Sequence, residues 1–144
     1  MIINSHRLKK KDSKKLNEFI GKPFSVLKKI RLKGVKSKKI KIQEVSPNLR
    51  QYIEEAKTTY GHIELRPKGI LIRVNKGLQQ LIWAIPYYQL YVYKTPGLNI
   101  HAQGKYILFE HDSIKPKTLS IEKKMMKQKH LFDHNHPPIE SIDL

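Results

Sequence analysis

Residues 69–93 read GILIRVNKGLQQLIWAIPYYQLYVY, in which short apolar runs alternate with turn-forming residues. Short runs rich in β-branched and aromatic residues, bounded by Gly, Asn or Pro, are typical of strands. The turn residues 75–77 tolerate the positive φ of a tight hairpin, and Pro86 ends or bends a strand. We therefore predict an antiparallel meander with strands over 70–74, 81–85 and 90–93.

The same pattern continues on both sides of this block. Further strands are predicted over 62–65, 98–102 and 106–110. From Leu119 to Phe132 the apolar spacing becomes helical, with Ile121, Met125 and either Gln128 or Leu131 and Phe132 on the inner side. These elements predict an α+β fold that is mainly antiparallel β. It is a small curled sheet or partly open barrel with a C-terminal helix and a basic N-terminal extension.

The residues before position 60 are more polar. Residues 39–43 read KIKIQ, and this alternation predicts a strand with one basic, solvated face. A second strand is expected over 26–32, although Lys28 and Lys29 interrupt its alternation. Ser46-Pro47 predicts the start of a short helix, because serine caps helices and proline suits the first helical position. Its apolar residues at helical spacing are Leu49, Tyr52, Ile53 and Ala56.

The extreme N-terminal region is too polar to bury much surface. Residues 6–18 are dominated by lysine, so we expect an arm there, with helix near Leu16, Phe19 and Ile20. The predicted organisation is a basic arm over 1–23, a single β-rich domain over 24–132 with its core in 60–132, and an irregular tail over 133–144.

Positive charge is concentrated in the first third of the chain. The formal net charge is +17. Residues 1–50 hold 16 Lys and Arg against 3 Asp and Glu, a balance of +13, and residues 51–144 hold 13 against 9, a balance of +4. Such an excess favours a polyanionic partner, because cations that neutralise phosphates release bound counterions. A solubilising tail is the alternative interpretation.

The candidate RNA-binding residues are cations of this region and an aromatic group further on. In a strand over 90–93, Tyr91 and Tyr93 share one face and are candidates for stacking with bases, flanked by Arg73 and Lys94. Packing in the core or across strands is the competing role for these tyrosines. The basic candidates are Arg7, Lys9, Lys10, Lys11, Lys14, Lys15, Lys28, Lys29, Arg31, Lys33, Lys36, Lys38, Lys39 and Lys41.

Signals for chemistry are weak. There is no glycine-rich phosphate loop, no nucleophile elbow and no cysteine, and no two acids can be placed as a hydrolytic pair. Residues 130–136 contain three histidines and Asp133, but His134 and His136 are two apart and two prolines follow, which suits a flexible tail better than a metal site. We therefore expect no enzymatic activity, no cofactor, no metal and no small-molecule substrate.

The block formed by residues 69–74, 82–87, 90–93 and 98–109, followed by an amphipathic helix, resembles bacterial pleckstrin-homology-like domains. In those domains short antiparallel hairpins are closed by a C-terminal helix that plugs an open barrel. The resemblance covers residues 60–132 and rests on the order of elements. Separately, a small body with a lysine-rich extension resembles ribosomal proteins in composition.

Two binding functions follow from these observations. The first expectation is a non-enzymatic, ribosome-associated RNA-binding protein that contacts ribosomal RNA and neighbouring ribosomal proteins. The alternative is a pleckstrin-homology-like adaptor that binds a protein partner or an anionic membrane surface. The N-terminus lacks the apolar core of a secretory signal and no run is long enough to span a membrane, so we expect a cytoplasmic protein.

Overall fold

The computed structural model describes residues 1–5, 9–53, 58–110 and 116–135. Within these ranges the strands are β1 (Ile2–Ser5), β2 (Ile40–Val45), β3 (Tyr60–Leu65), β4 (Gly69–Lys76), β5 (Gln79–Pro86), β6 (Tyr91–Lys94), β7 (Leu98–Ala102) and β8 (Lys105–Phe109). The helices are α1 (Lys10–Ile20), α2 (Val26–Arg31) and α3 (Pro116–Asn135), with short 3-10 turns at Pro47–Leu49 and Tyr87–Gln89.

The eight strands form one antiparallel sheet in the order β1-β5-β4-β3-β2-β8-β7-β6. Strand β2 joins the two halves, because it pairs with β3 on one side and with β8 on the other. The register between β2 and β8 shifts between Ile42 and Glu44, and an irregularity of this kind bends a strand. The hairpins β3–β4, β4–β5, β6–β7 and β7–β8 follow the predicted meander.

The main core lies inside the curl of this sheet. Side chains from both halves share one buried cluster, including Ile72 and Trp83 from one half and Ile107 and Phe109 from the other. Helix α3 closes the interior by burying Ile121 and Met125, with Phe132 packed against the same cluster. The predicted fold class is therefore confirmed, and the predicted inner face of the helix is correct at these three positions.

A second, smaller core lies on the outer face of the sheet and includes residues of the predicted basic arm over 1–23. Leu16 and Ile20, one helical turn apart on α1, are buried against Leu71 of β4 and Ile82 and Ala84 of β5. Strand β1 pairs with β5 beside them. The described parts of residues 1–23 are thus packed on the sheet. The helix expected near Leu16 is present.

The expectation of a strand over 26–32 is wrong. Residues 26–31 form α2 instead of a strand, because the Ser25 hydroxyl caps the helix by accepting the Lys28 N–H at 3.3 Å. Of the helix expected after Ser46-Pro47, the described residues show a 3-10 turn at Pro47–Leu49 with Leu49 and Ile53 buried, and Ala56 lies outside the described part of the structure. The predicted strand over 39–43 is present as β2.

Candidate functional site

Helix α2 is held against the body of the protein at both of its ends. Phe24 before it and Leu32 after it are partly buried and pack against the main core. Past the helix, Lys33 and Gly34 adopt positive φ values of 58° and 101°, and the Gly34 N–H donates to the Lys29 carbonyl oxygen at 2.9 Å. The position of the helix is therefore fixed from both flanks.

Helix α3 secures the same segment by side-chain hydrogen bonds. Lys124 Nζ donates to the carbonyl oxygens of Lys33 at 2.8 Å and of Gly34 at 3.2 Å. The following residues continue along β3, where the Leu65 N–H donates to the Val35 carbonyl oxygen at 2.7 Å. Helix α2 consequently projects from the end of the sheet at which β3 and β4 meet.

The outer side of α2 is apolar. Val26, Leu27 and Ile30 are 73%, 72% and 68% exposed, and no residue of the helix is buried. These three side chains, called the α2 tip below, lie at positions i, i+1 and i+4 and so share one helical face. An anchored helix that presents three large aliphatic side chains to solvent marks an interaction site more strongly than scattered single residues do.

The α2 tip lies in a strongly basic segment. Between Glu18 and Glu44 the chain carries nine basic residues and no acidic residue. Among the residues that the structure describes, two of these cations have acidic partners, with Lys36 Nζ at 3.5 Å from Glu64 and Lys41 Nζ at 3.3 Å from Glu110. The exposed basic side chains of this segment are Lys22, Lys28, Arg31, Lys33, Lys36, Lys38 and Lys39, and Lys29 is half-buried.

The remaining basic candidates are on or near α1. Lys9 precedes the helix and is exposed. Because Leu16 and Ile20 face the sheet, the lysines on the other side of α1 point to solvent. These exposed residues are Lys10, Lys11, Lys14 and Lys15. Arg7 lies outside the described residues.

Tyr91 and Tyr93 share one face of β6, as the strand alternation predicts, and that face is exposed. Leu90 is buried and Val92 is half-buried, whereas Tyr91 and Tyr93 are 61% and 52% exposed. The register places Tyr91 opposite His101 and His101 opposite Tyr106. These four side chains on the outer side of β6, β7 and β8 are called the aromatic face below.

Ring contacts order the aromatic face. The His101 ring stacks on Tyr106 with centroids 5.0 Å apart, and Tyr93 meets His101 edge-on at 4.6 Å. Burial lowers the pKa of His101 below its usual value, which favours the neutral imidazole. Lys129 Nζ of α3 lies 6.0 Å from the centroid of Tyr91.

The predicted flanking cations do not complete this group. Arg73 is on β4, and four strands separate β4 from β6 in the sheet order, so Arg73 does not flank the tyrosines as expected. It lies instead near Glu64, where its charge is one of the influences on that carboxyl group. Lys94 ends β6, and its side chain is outside the described part of the structure.

Residues with catalytic or metal-binding potential are dispersed. His130 and His134 are exposed on the last turns of α3, and His136 lies outside the described residues. Within the described ranges no group of three His, Asp or Glu side chains could hold a metal ion. In the same ranges, no helix is both long and apolar enough to cross a membrane.

The α2 tip is the feature that the sequence analysis missed. The signal was present in the Ser25 cap and in the helical spacing of Val26, Leu27 and Ile30. Even a correct helical assignment would have predicted that this apolar face is buried, because the apolar face of an amphipathic helix usually packs on the core. Its exposure follows from the anchoring of Phe24 and Leu32, which depends on tertiary contacts.

Comparisons with known proteins give a structural likeness. No family model matches the chain, and no curated protein matches it. The chain is similar to a solved structure described as "Critical structural role for the PH and C1 domains of the Vav1 exchange factor", with 17% sequence identity and a TM-score of 0.41. The match covers 89% of this chain and 33% of that chain, so this chain spans about a third of the length of the solved structure.

Proposed function

We propose that this chain is a non-catalytic adaptor that attaches to an anionic membrane surface through its N-terminal third. The observation that carries the proposal is the α2 tip, with its three exposed aliphatic side chains inside a segment of nine basic and no acidic residues. Stable attachment of a peripheral protein requires two signals, such as an apolar insertion and a polybasic patch. The α2 tip and the cations around it would supply one each.

The free energies of both kinds of contact indicate that the aliphatic side chains and the cations must act together. Complete transfer of a Val, Leu or Ile side chain out of water is worth about 1.5–3 kcal/mol, and a lysine near an anionic lipid surface contributes about 1 kcal/mol. Either set alone gives weak, reversible attachment. Insertion of the tip would cost little folding free energy, because no residue of α2 is buried in the body of the protein.

RNA accounts for only part of this surface. A phosphate backbone pairs with the cations but offers no apolar partner to Val26, Leu27 and Ile30. An anionic bilayer satisfies both, because lipid headgroups meet the cations and acyl chains meet the aliphatic side chains. Attachment to ribosomal RNA or to ribosomal proteins stays a prediction from composition.

Cosedimentation with vesicles tests the proposal. Nuclease-treated protein is mixed with phosphatidylcholine vesicles or with vesicles that also contain phosphatidylserine. We expect binding to the anionic vesicles only, and a loss of roughly tenfold or more in the Leu27→Ser/Ile30→Ser variant. Leu78→Ser is the matched control, because Leu78 is 88% exposed in the β4–β5 turn. Equal binding to neutral vesicles, or unchanged binding of the tip variant, would contradict the proposal.

A further inference from the structure

The aromatic face has a geometry that attachment through the α2 tip does not use. It lies on β6, β7 and β8, whereas α2 projects near the β3–β4 turn. Tyr91 and Tyr93 are two residues apart on one strand, which separates them by about 7 Å, and neighbouring strands are about 4.8 Å apart. The four side chains therefore cover an area that two or three bases can occupy, as on other sheets that bind RNA through aromatic rings.

Three of the four rings, those of Tyr93, His101 and Tyr106, are in mutual contact before any ligand binds. The His101 ring stacks on Tyr106 and forms a T-shaped pair with Tyr93. Tyrosine has only two side-chain torsions, so little conformational entropy is lost when a ligand stacks on it. Preorganised rings give more of their contact energy to affinity than mobile ones.

The tyrosines are not required by the core. The inward side of β6 is formed by Leu90, which precedes the strand, and by Val92, and both pack with the main core. Tyr91 and Tyr93 expose more than half of their surface on the other side. The alternation of β6 therefore leaves two large aromatic rings exposed to solvent, where a planar ligand can contact them.

The edge of the aromatic face suits an anionic ligand. A shallow cavity of about 360 Å³ lies beside it at the β7–β8 turn. Its lining includes Lys105, whose Nζ donates to the Gln103 carbonyl oxygen at 3.4 Å, and no acidic side chain among the residues that the structure describes. A ligand with planar rings and a negatively charged backbone would match both parts of this surface, and the net charge of +17 would draw such a polyanion to the protein.

We propose that the aromatic face binds single-stranded RNA, with bases stacked on Tyr91 and Tyr93 and a phosphate near Lys105. Base stacking on aromatic side chains tolerates any sequence, because every base has a π face. Affinity is therefore set by the presence of bases more than by their identity. This site is separate from the membrane contact of α2, and each can fail without the other.

Fluorescence anisotropy with two probes tests the site. One probe is a labelled uridine oligomer, and the other is a sugar–phosphate strand of equal length without bases. We expect the uridine oligomer to bind about tenfold tighter or more, since each stacked base contributes at least several-fold in affinity. The Tyr91→Ala/Tyr93→Ala variant should bind both probes equally, and Tyr88→Ala, which removes an exposed tyrosine elsewhere, should keep the difference.

Several outcomes would overturn the inference. Equal affinity of the wild-type protein for the two probes would show that bases do not stack on the protein. A preference for the uridine oligomer that persists in the Tyr91→Ala/Tyr93→Ala variant would show that bases do not stack on these tyrosines. If a proline-rich peptide binds the aromatic face and the oligomer does not, the ligand is a protein. If the double variant loses vesicle binding instead, the face is a membrane contact. A thermal transition equal to that of wild type confirms that each variant is folded.

Discussion

Arg66 donates from Nη1 to the carbonyl oxygen of Gly21 at 3.0 Å, which joins the end of α1 to the turn between β3 and β4. The same guanidinium forms a buried ion pair with Glu64. The Tyr87 hydroxyl donates to the Arg66 carbonyl oxygen at 2.8 Å. One buried arginine thus connects the N-terminal helix, the sheet and the Tyr87–Gln89 turn, so the basic N-terminal third is part of the folded body.

Replacing Arg66 should strongly destabilise the protein. Arg66→Met leaves the buried Glu64 carboxylate without its main partner, and breaking a buried pair in this way costs about 3–5 kcal/mol. The measurement is the free energy of unfolding from urea titration. The Arg66→Met/Glu64→Met double variant should regain most of the loss. A single variant within 1 kcal/mol of wild type, or a double variant as unstable as the single, would argue against this role.

Stability should fall in acid through Glu64. Burial raises the pKa of its carboxyl group, but the hydrogen bond and charge of Arg66, with the charges of Arg73 and Lys36, outweigh burial and hold the pKa below its usual value of 4.5. A lowered folded-state pKa stabilises the protein above the unfolded-state value, and this stabilisation is lost as the pH falls through the folded-state pKa. We expect Glu64→Gln to be less stable at neutral pH and to lose less stability in acid. Parallel pH profiles of the two proteins would refute this.

Deleting side-chain volume on α1 tests whether the N-terminal third is folded. Leu16→Ala should cost about 2–5 kcal/mol, because Leu16 is buried against Leu71 and Ile82. Lys15→Ala, at the exposed neighbouring position, should change the free energy of unfolding by less than about 0.5 kcal/mol. Chemical denaturation of both variants provides the comparison. Equal stability of Leu16→Ala and wild type would show instead that α1 is not packed on the sheet.

The hairpins were predictable because their signals are local. Alternating apolar residues and turn residues such as Asn75 and Gly77 lie within the elements that they define. Strand β1 was not predictable in this way, because Ile2 pairs with Trp83, about eighty residues away in the sequence. Nothing within a run of four residues identifies such a distant partner.

The candidate site was only partly predictable. Strand alternation correctly placed Tyr91 and Tyr93 on one face, which is a local property. The error over Val26–Arg31 arose because β-branched and aliphatic residues suit a strand or a helix in a short run. The prediction that Arg73 flanks the tyrosines was wrong because closeness in the sequence does not determine the order of strands in the sheet. Strands β3, β2, β8 and β7 lie between β4, which carries Arg73, and β6, which carries the tyrosines.

The cations around α2 should make vesicle binding sensitive to salt. Replacing Lys28 and Arg31 by Gln should weaken binding to anionic vesicles by about 2 kcal/mol at low salt, since each cation near the lipid surface contributes about 1 kcal/mol. The effect should shrink as added salt screens the surface charges. Titration with vesicles at several salt concentrations measures both. Lys10→Gln/Lys14→Gln, on α1, is the matched control and should have a smaller effect.

An environment-sensitive dye at position 27 tests membrane insertion of the α2 tip most directly. The chain has no cysteine, so Leu27→Cys and the control Leu78→Cys each provide a single labelling site. With anionic vesicles, a dye at position 27 should shift to the blue and become protected from an aqueous quencher, whereas a dye at position 78 should stay in water. A dye at position 27 that remains quenched while the protein is bound to vesicles would contradict insertion of the tip.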